Sequence, residues 1–117
     1  MYFKHEFGKF GEELAINFLI QKGYKIIEKN FLCKQGELDI IAKNENEIVF
    51  VEVKTRTSIK YGNPIEAVNK IKIKHMYNSA QFYLYKNGLQ NSFVRFDIIE
   101  IYIKNKKCYI KHHKQIM

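Results

Sequence analysis

Two short stretches carry the residue types that could do chemistry: Gly36-Glu37-Leu38-Asp39, and Val49-Phe50-Val51-Glu52-Val53-Lys54-Thr55-Arg56. Val49, Val51 and Val53 make one face of the second stretch apolar, and Ile48 and Phe50 begin the other. A strand apolar on both faces is a central one, covered on both sides. Glu52 and Lys54 interrupt it, and because they lie two apart they project from the same face. A carboxylate and an ammonium in such a place are costly unless partnered. The run Asn44-Glu45-Asn46-Glu47 supplies a hairpin between the two stretches. With Glu45 and Asn46 as a two-residue loop, Asn44 pairs with Glu47, and counting back along both strands sets Asp39 directly opposite Glu52. Opposed Cβ atoms are about 4.5–5.5 Å apart. Two carboxylates at that separation repel, and one keeps its proton unless a cation sits between them. Magnesium binds through one or two carboxylates, with water and phosphate oxygens completing its shell. The stretch therefore reads as a cation site with a lysine beside it, or as a structural salt bridge of Lys54 with Glu52 or Asp39. Glu37 shares the face of Asp39, as a helper group or as the exposed end of the strand.

These residues need elements to position them. A first helix is expected over Phe7–Lys22, with Leu14, Ala15, Phe18 and Leu19 on one stripe and Gly23 as its stop. Glu12 falls at the margin of that stripe, where it can face a sheet, and Glu13 points to solvent; as acidic residues near a helix start, both could simply satisfy the helix dipole. Strands are expected at Tyr24–Lys29, Leu38–Lys43 and Ile48–Thr55, with Asn30–Gly36 a connection and Ser58–Pro64 a loop. A second helix covers Val68–Lys86, with Ile73, Met76, Ala80 and Tyr83 on one face and Asn87-Gly88 ending it. Phe93–Ile103 is a long strand, turned by Lys104-Asn105-Lys106-Lys107 into a last strand at Cys108–His112. The order αβββαββ predicts an α/β fold, a mixed sheet with helices packed on it.

Length and charge bound the rest. A chain of 117 residues is expected to form one domain, 1–117, with enough core to fold without disulfide or metal. No apolar run approaches a membrane span, the N-terminus lacks the apolar core of a signal peptide, and Cys33 and Cys108 form no disulfide framework or zinc spacing, so the cytoplasm is the expected compartment. Residues 1–58 hold nine basic and nine acidic residues, whereas residues 59–117 hold eleven basic and three acidic, so the whole net charge of +8 lies in the second half. A basic half beside a neutral half suits a polyanion partner, and it equally suits a chain with many solvated lysines. Lys70 and Lys74 share a helix face that Lys72 does not. His112 and His113 are adjacent on a strand and point to opposite faces, which makes a shared metal difficult. No nucleophile elbow or phosphate-cradling glycine loop is present. Among the many aromatics, Tyr61 and Phe31 are candidates to stack on bases.

Asp39, a short gap, then Glu52-x-Lys54 on the next strand of an αβββαβ unit resembles the PD-(D/E)xK nuclease superfamily. The chain is more closely similar to the YraN-like uncharacterised family, through Gly8-Lys-Phe-Gly11-Glu12-Glu-Leu-Ala15, Gly23-Tyr24, Asn30 to Asp39, Val49–Arg56, Gly62, Ala67-Val68, Lys72, Ala80–Leu84 and Arg95-Phe96-Asp97. The resemblance implies a restriction-endonuclease-like core, akin to Holliday-junction resolvases. It implies that Asp39 and Glu52 bind Mg²⁺ or Mn²⁺, with the Val53 carbonyl as a further ligand. It implies that Lys54 orients the attacking water and stabilises developing charge, and that Glu12 completes the catalytic site. Leu38 stands where the superfamily has a proline. Arg56, Thr55 and Lys72 are the expected phosphate contacts. The expected activity is metal-dependent endonucleolytic hydrolysis of DNA, structured or branched, by a chain that forms a homodimer; the alternative is a nucleic-acid-binding protein that keeps the fold without turnover.

Overall fold

The computed structural model describes residues 2–56 and 70–117. Helix α1 (Tyr2–Gln21) is followed by strands β1 (Lys25–Cys33), β2 (Gly36–Asn44) and β3 (Glu47–Arg56), helix α2 (Lys70–Lys86), and strands β4 (Phe93–Lys104) and β5 (Lys107–His113). The strands form one sheet in the order β1-β2-β3-β4-β5. Only β3 and β4 run parallel, so the sheet is mixed, and the chain between them, which includes α2, makes the crossover that a parallel pair requires. This is the α/β architecture expected, consistent with a restriction-endonuclease-like core.

The two faces of the sheet bury separate cores. Ala15 and Leu19 of α1 pack with Tyr24, Ile40, Ala42, Val49, Val51, Ile99 and Ile101 on one face. Met76, Ala80, Tyr83 and Leu84 of α2 pack with Phe31, Leu38, Ile41, Ile48 and Phe50 on the other. Both helices end in the same way. Tyr24 N–H donates to Leu19 O at 2.9 Å and Gly23 N–H to Ile20 O at 3.0 Å; Leu89 N–H donates to Leu84 O at 2.8 Å and Gly88 N–H to Tyr85 O at 3.2 Å. These are Schellman closures, and each needs a left-handed residue, which Gly23 (φ 94°) and Gly88 (φ 67°) supply.

Two boundaries differ substantially from the sequence reading. Helix α1 starts at Tyr2 rather than Phe7, so Glu12 and Glu13 sit in its middle and the helix-dipole explanation for them falls away. Strand β1 runs on to Cys33, because the polar stretch expected to be a connection pairs instead, Phe31 with Leu38 and Cys33 with Gly36. Phe31 is the reason: it is buried against the Tyr83 ring, with centroids 5.2 Å apart, and is not presented as a stacking surface. The beginning of the expected second helix, the Ser58–Pro64 loop and Tyr61 lie outside the described residues.

Candidate active site

The β2–β3 hairpin has the expected register: Glu45 and Asn46 turn it, Asn44 pairs with Glu47, and the ladder runs to Ile40–Val51. There it stops, one position before Asp39 and Glu52 would pair. The Asp39 side chain takes over, accepting a hydrogen bond from Val53 N–H at 2.8 Å through Oδ2. The N–H and C=O of one strand residue point to the same side, so the Val53 carbonyl faces this opening too. Asp39 and Glu52 share a side-chain hydrogen bond across it.

The electrostatics follow from burial. Desolvation pushes the Glu52 carboxyl up to about 7, and the Asp39 charge adds to it, against the opposing pull of Lys72. Burial also raises Asp39, while the Val53 N–H bond and the charges of Lys72 and Lys54 oppose the rise. Burial thus favours one proton shared by the Asp39–Glu52 pair over two full charges. Glu12 reaches the same region from α1: partial burial raises its carboxyl, and the charges of Asp39 and Glu37 raise it further, against a hydrogen bond with Asn30. Glu13 is exposed and Glu37 is exposed, as their positions on helix and strand suggest.

Gly11 brings α1 close enough for this. A Cβ on Gly11 would land on Thr55 Oγ1, with Thr55 Cβ at 3.1 Å, so the helix backbone lies directly on the end of β3. Thr55 is thus engaged with α1 rather than turned outward. Arg56 is engaged as well: its nearly buried guanidinium pairs through Nε with Glu100 Oε2 at 3.2 Å. Lys72 projects from α2 and pairs with Glu52 Oε2 at 3.4 Å, its side chain 40% exposed. The salt bridge to Glu52 is thus made by Lys72 and not by Lys54. Lys54 lies next to Glu100 in the β3–β4 register. Glu100, however, is occupied by Arg56 and lies 3.7 Å from His113 Nε2, and Lys54 makes no ion pair among the described residues. The sequence reading missed Lys72 as the partner of Glu52, since only the packing of α2 on the sheet brings them together. It missed Glu100 also, although Glu100 interrupts the apolar run of β4 as Glu52 interrupts that of β3.

The donor set suits a hard divalent cation. Two adjacent carboxyls and a carbonyl oxygen are oxygen ligands of the type that Mg²⁺ and Mn²⁺ prefer, and a cation between the carboxyls would relieve the repulsion by which Asp39 raises Glu52. Among the described residues no group of three or more His, Cys, Asp or Glu side chains is placed to hold a metal ion. No helix among the described residues is long and apolar enough to cross a membrane.

Known proteins share this sequence closely. The profile described as "Uncharacterised protein family UPF0102" matches residues 11–101, which span Gly11, the acid pair and the length of β4 up to Ile101. A UPF0102 protein of Clostridioides difficile (strain 630) is 52% identical over 102 residues, covering 87% of this chain and 90% of the relative. One from Caldicellulosiruptor saccharolyticus is 48% identical over 103 residues, covering 88% and 87%. One from Caldanaerobacter subterraneus subsp. tengcongensis is 46% identical over 114 residues, covering 97% and 93%. With the YraN-like motifs in place and a match across most of its length, the chain belongs to the uncharacterised protein family UPF0102.

Proposed function

We propose that this chain is a metal-dependent endonuclease acting in the cytoplasm on DNA, with structured or branched DNA as its substrate class. One observation carries the reading: the buried carboxyl of Glu52 and the half-buried carboxyl of Asp39 share a proton at the open end of the β2–β3 ladder, where the Asp39–Val53 bond of 2.8 Å fixes them. Asp39, Glu52 and the Val53 carbonyl are the groups that would hold Mg²⁺ or Mn²⁺. A divalent ion bound there supplies Lewis acidity toward a phosphoryl oxygen and lowers the pKa of bound water. Lys54, with no carboxylate partner among the described residues, is free to orient a water and to meet charge developing on the phosphate. Glu12 adds an acid on the α1 side. Lys72, half exposed beside Glu52, is the phosphate contact that the geometry favours; Thr55 and Arg56 hold the end of β3 against α1 and β4. A homodimer would present two such centres to two strands.

The Lys72–Glu52 pair also supports a second reading, a nucleic-acid-binding protein without turnover, because an internal cation already satisfies Glu52. A cleavage assay separates the two. Single-stranded, duplex, flap and four-way-junction DNA are incubated with Mg²⁺ or Mn²⁺, with Glu52→Ala beside the wild type. Cutting that needs the metal and is lost in the variant is the expected result. Salt-sensitive binding that Glu52→Ala leaves intact, with no cutting on any substrate, establishes the second reading instead.

A further inference from the structure

The Arg95-Phe96-Asp97 stretch has no part in the acid pair, yet it anchors an extended polar network. Asp97 is fully buried on the α1 face. Arg95 donates to it twice, Nε to Oδ1 at 2.9 Å and Nη2 to Oδ2 at 2.8 Å, and also reaches Tyr24 OH at 2.6 Å and Glu47 Oε1 at 3.2 Å. Gln115 N–H donates to Oδ1 at 3.0 Å, and His112 Nε2 lies 2.7 Å from Oδ2. Burial alone would raise the Asp97 carboxyl, but the bonds from His112, Arg95 and Gln115 outweigh it and hold it below the usual carboxylate value. Asp97 is therefore ionised and accepts only, so His112 Nε2 must carry a proton. His112 Nδ1 makes no hydrogen bond among the described residues.

That ring opens onto a cavity of about 330 Å³, lined by Phe18, Lys22, Tyr24, Asn44, His112 and Lys114. Two lysines line it and no carboxylate does. The carboxylates behind it, Asp97 and Glu47, are both bonded to Arg95. The cavity is thus electropositive, which suits an anion. Its other walls are aromatic. Phe18 meets His112 edge-on at 6.0 Å and Tyr24 lies 5.9 Å from it, while Lys22 Nζ stands 5.6 Å from the Phe18 ring centre. Cations beside aromatic rings, in a space at the small end of ligand cavities, match a ligand with a phosphate and a flat ring. The cavity is separate from the acid pair. Asn44 lies five residues along β2 from Asp39, about 17 Å at the rise of a strand. Lys22 lies ten residues from Glu12, about 15 Å along a helix.

We propose that this cavity binds a nucleoside monophosphate unit, with the phosphate held by Lys22 and Lys114, the ring against Phe18, and a sugar hydroxyl donating to His112 Nδ1. The unit can be a free nucleotide or the phosphorylated end of a strand. The proposal does not rest on the nuclease reading.

Isothermal titration with inorganic phosphate, dAMP, and a pentadeoxynucleotide with and without a 5′-phosphate tests it. Lys22→Ala/Lys114→Ala removes two exposed side chains, and Glu52→Ala serves as a control at the other site. The expected result is saturable dAMP binding, tighter than phosphate, weakened at least tenfold by the lysine double variant and unchanged by Glu52→Ala. His112 ring signals, assigned with His112→Gln, should shift during the titration. Tighter binding of the phosphorylated oligomer than of dAMP identifies a strand end, and equal or weaker binding identifies the free nucleotide. The proposal is overturned by no saturation with either ligand, by dAMP binding no better than phosphate, by indifference to the lysine variant, or by loss of binding in Glu52→Ala.

Discussion

Raising the pH should destabilise the metal-free protein through Glu52, against the usual behaviour of a carboxylate. The Glu52 carboxyl is pushed from its ordinary 4.5 up to about 7 by burial and by Asp39. Between those values the native state holds a proton that the unfolded chain has released. Stability then falls as pH rises, because its slope follows the protons bound unfolded minus those bound native. The loss begins near the unfolded value and is complete above the folded one. The gap corresponds to about 3 kcal/mol, at 1.36 kcal/mol for each tenfold change in proton affinity. The Glu52 side chain is only 6% exposed, so solvent screening takes little from that figure. Glu52→Gln keeps the shape and removes the titration. Urea denaturation between pH 4.5 and 8.5, with EDTA present, should show the wild type losing about 3 kcal/mol relative to Glu52→Gln. In a thermal scan this is on the order of 10 °C in Tm. Saturating Mg²⁺ at pH 8 should return much of the difference to the wild type alone, about 2.7 kcal/mol at a hundred times Kd. Parallel pH profiles for the two proteins would refute the buried-pair reasoning. Equal Mg²⁺ stabilisation of both would refute the assignment of Glu52 as a ligand.

Gly11→Ala should cost about 1–3 kcal/mol by forcing α1 off the end of β3, since the new Cβ meets Thr55 Oγ1. Adding Thr55→Ala removes that oxygen and should recover much of the loss, as denaturation of the single and double variants will read. Asp97→Asn leaves Arg95 and His112 buried without their charge partner and should cost about 3–5 kcal/mol at pH 7. Because the Asp97 carboxyl is held low, its stabilisation is present above the ordinary aspartate value and is lost as pH falls through the lower folded one. The deficit of the variant should therefore shrink in acid, and a deficit constant down to pH 2 would contradict the network described.

What the sequence could disclose was whatever depends on chain-local spacing. A two-residue hairpin loop fixes its register by counting, so the approach of Asp39 to Glu52 was accessible before any fold was known. Helical periodicity divided Glu12 from Glu13 in the same way, and one is half-buried while the other is exposed. The partners of these groups were not accessible. Lys72 reaches Glu52 because α2 packs across the sheet, and no interval along the chain encodes that approach. Phe31 was hidden differently, inside a stretch whose Asn30, Lys34 and Gln35 read as a loop, although one apolar side chain with a site beneath α2 is enough to keep the strand paired.

The Asp97 network lay between these cases. Arg95 and Asp97 are two apart on a strand and so share a face, the same interval that exposed Glu52 and Lys54. The β4–β5 turn has left-handed residues at both Asn105 and Lys106, the form that matches strand twist, and it pairs Lys104 with Lys107. Counting from that turn sets His112 opposite Ile99, diagonal to Asp97 on one face. The sheet thus carries charged interruptions on both faces, with Asp39–Glu52 and Arg56–Glu100 on the α2 face and Arg95–Asp97 on the α1 face. Asp39 and Glu52 lie where the β2–β3 ladder has stopped, and a carboxylate there accepts a backbone N–H that the ladder has left. The pair on the α1 face lies just past the end of the β4–β5 ladder at Ile98–His113, and its carboxylate likewise accepts a backbone N–H, that of Gln115. A buried arginine–aspartate pair adds little net stability over apolar residues of the same shape. What the network does determine is the orientation of the His112 ring, which Asp97 holds at the wall of the cavity through Nε2.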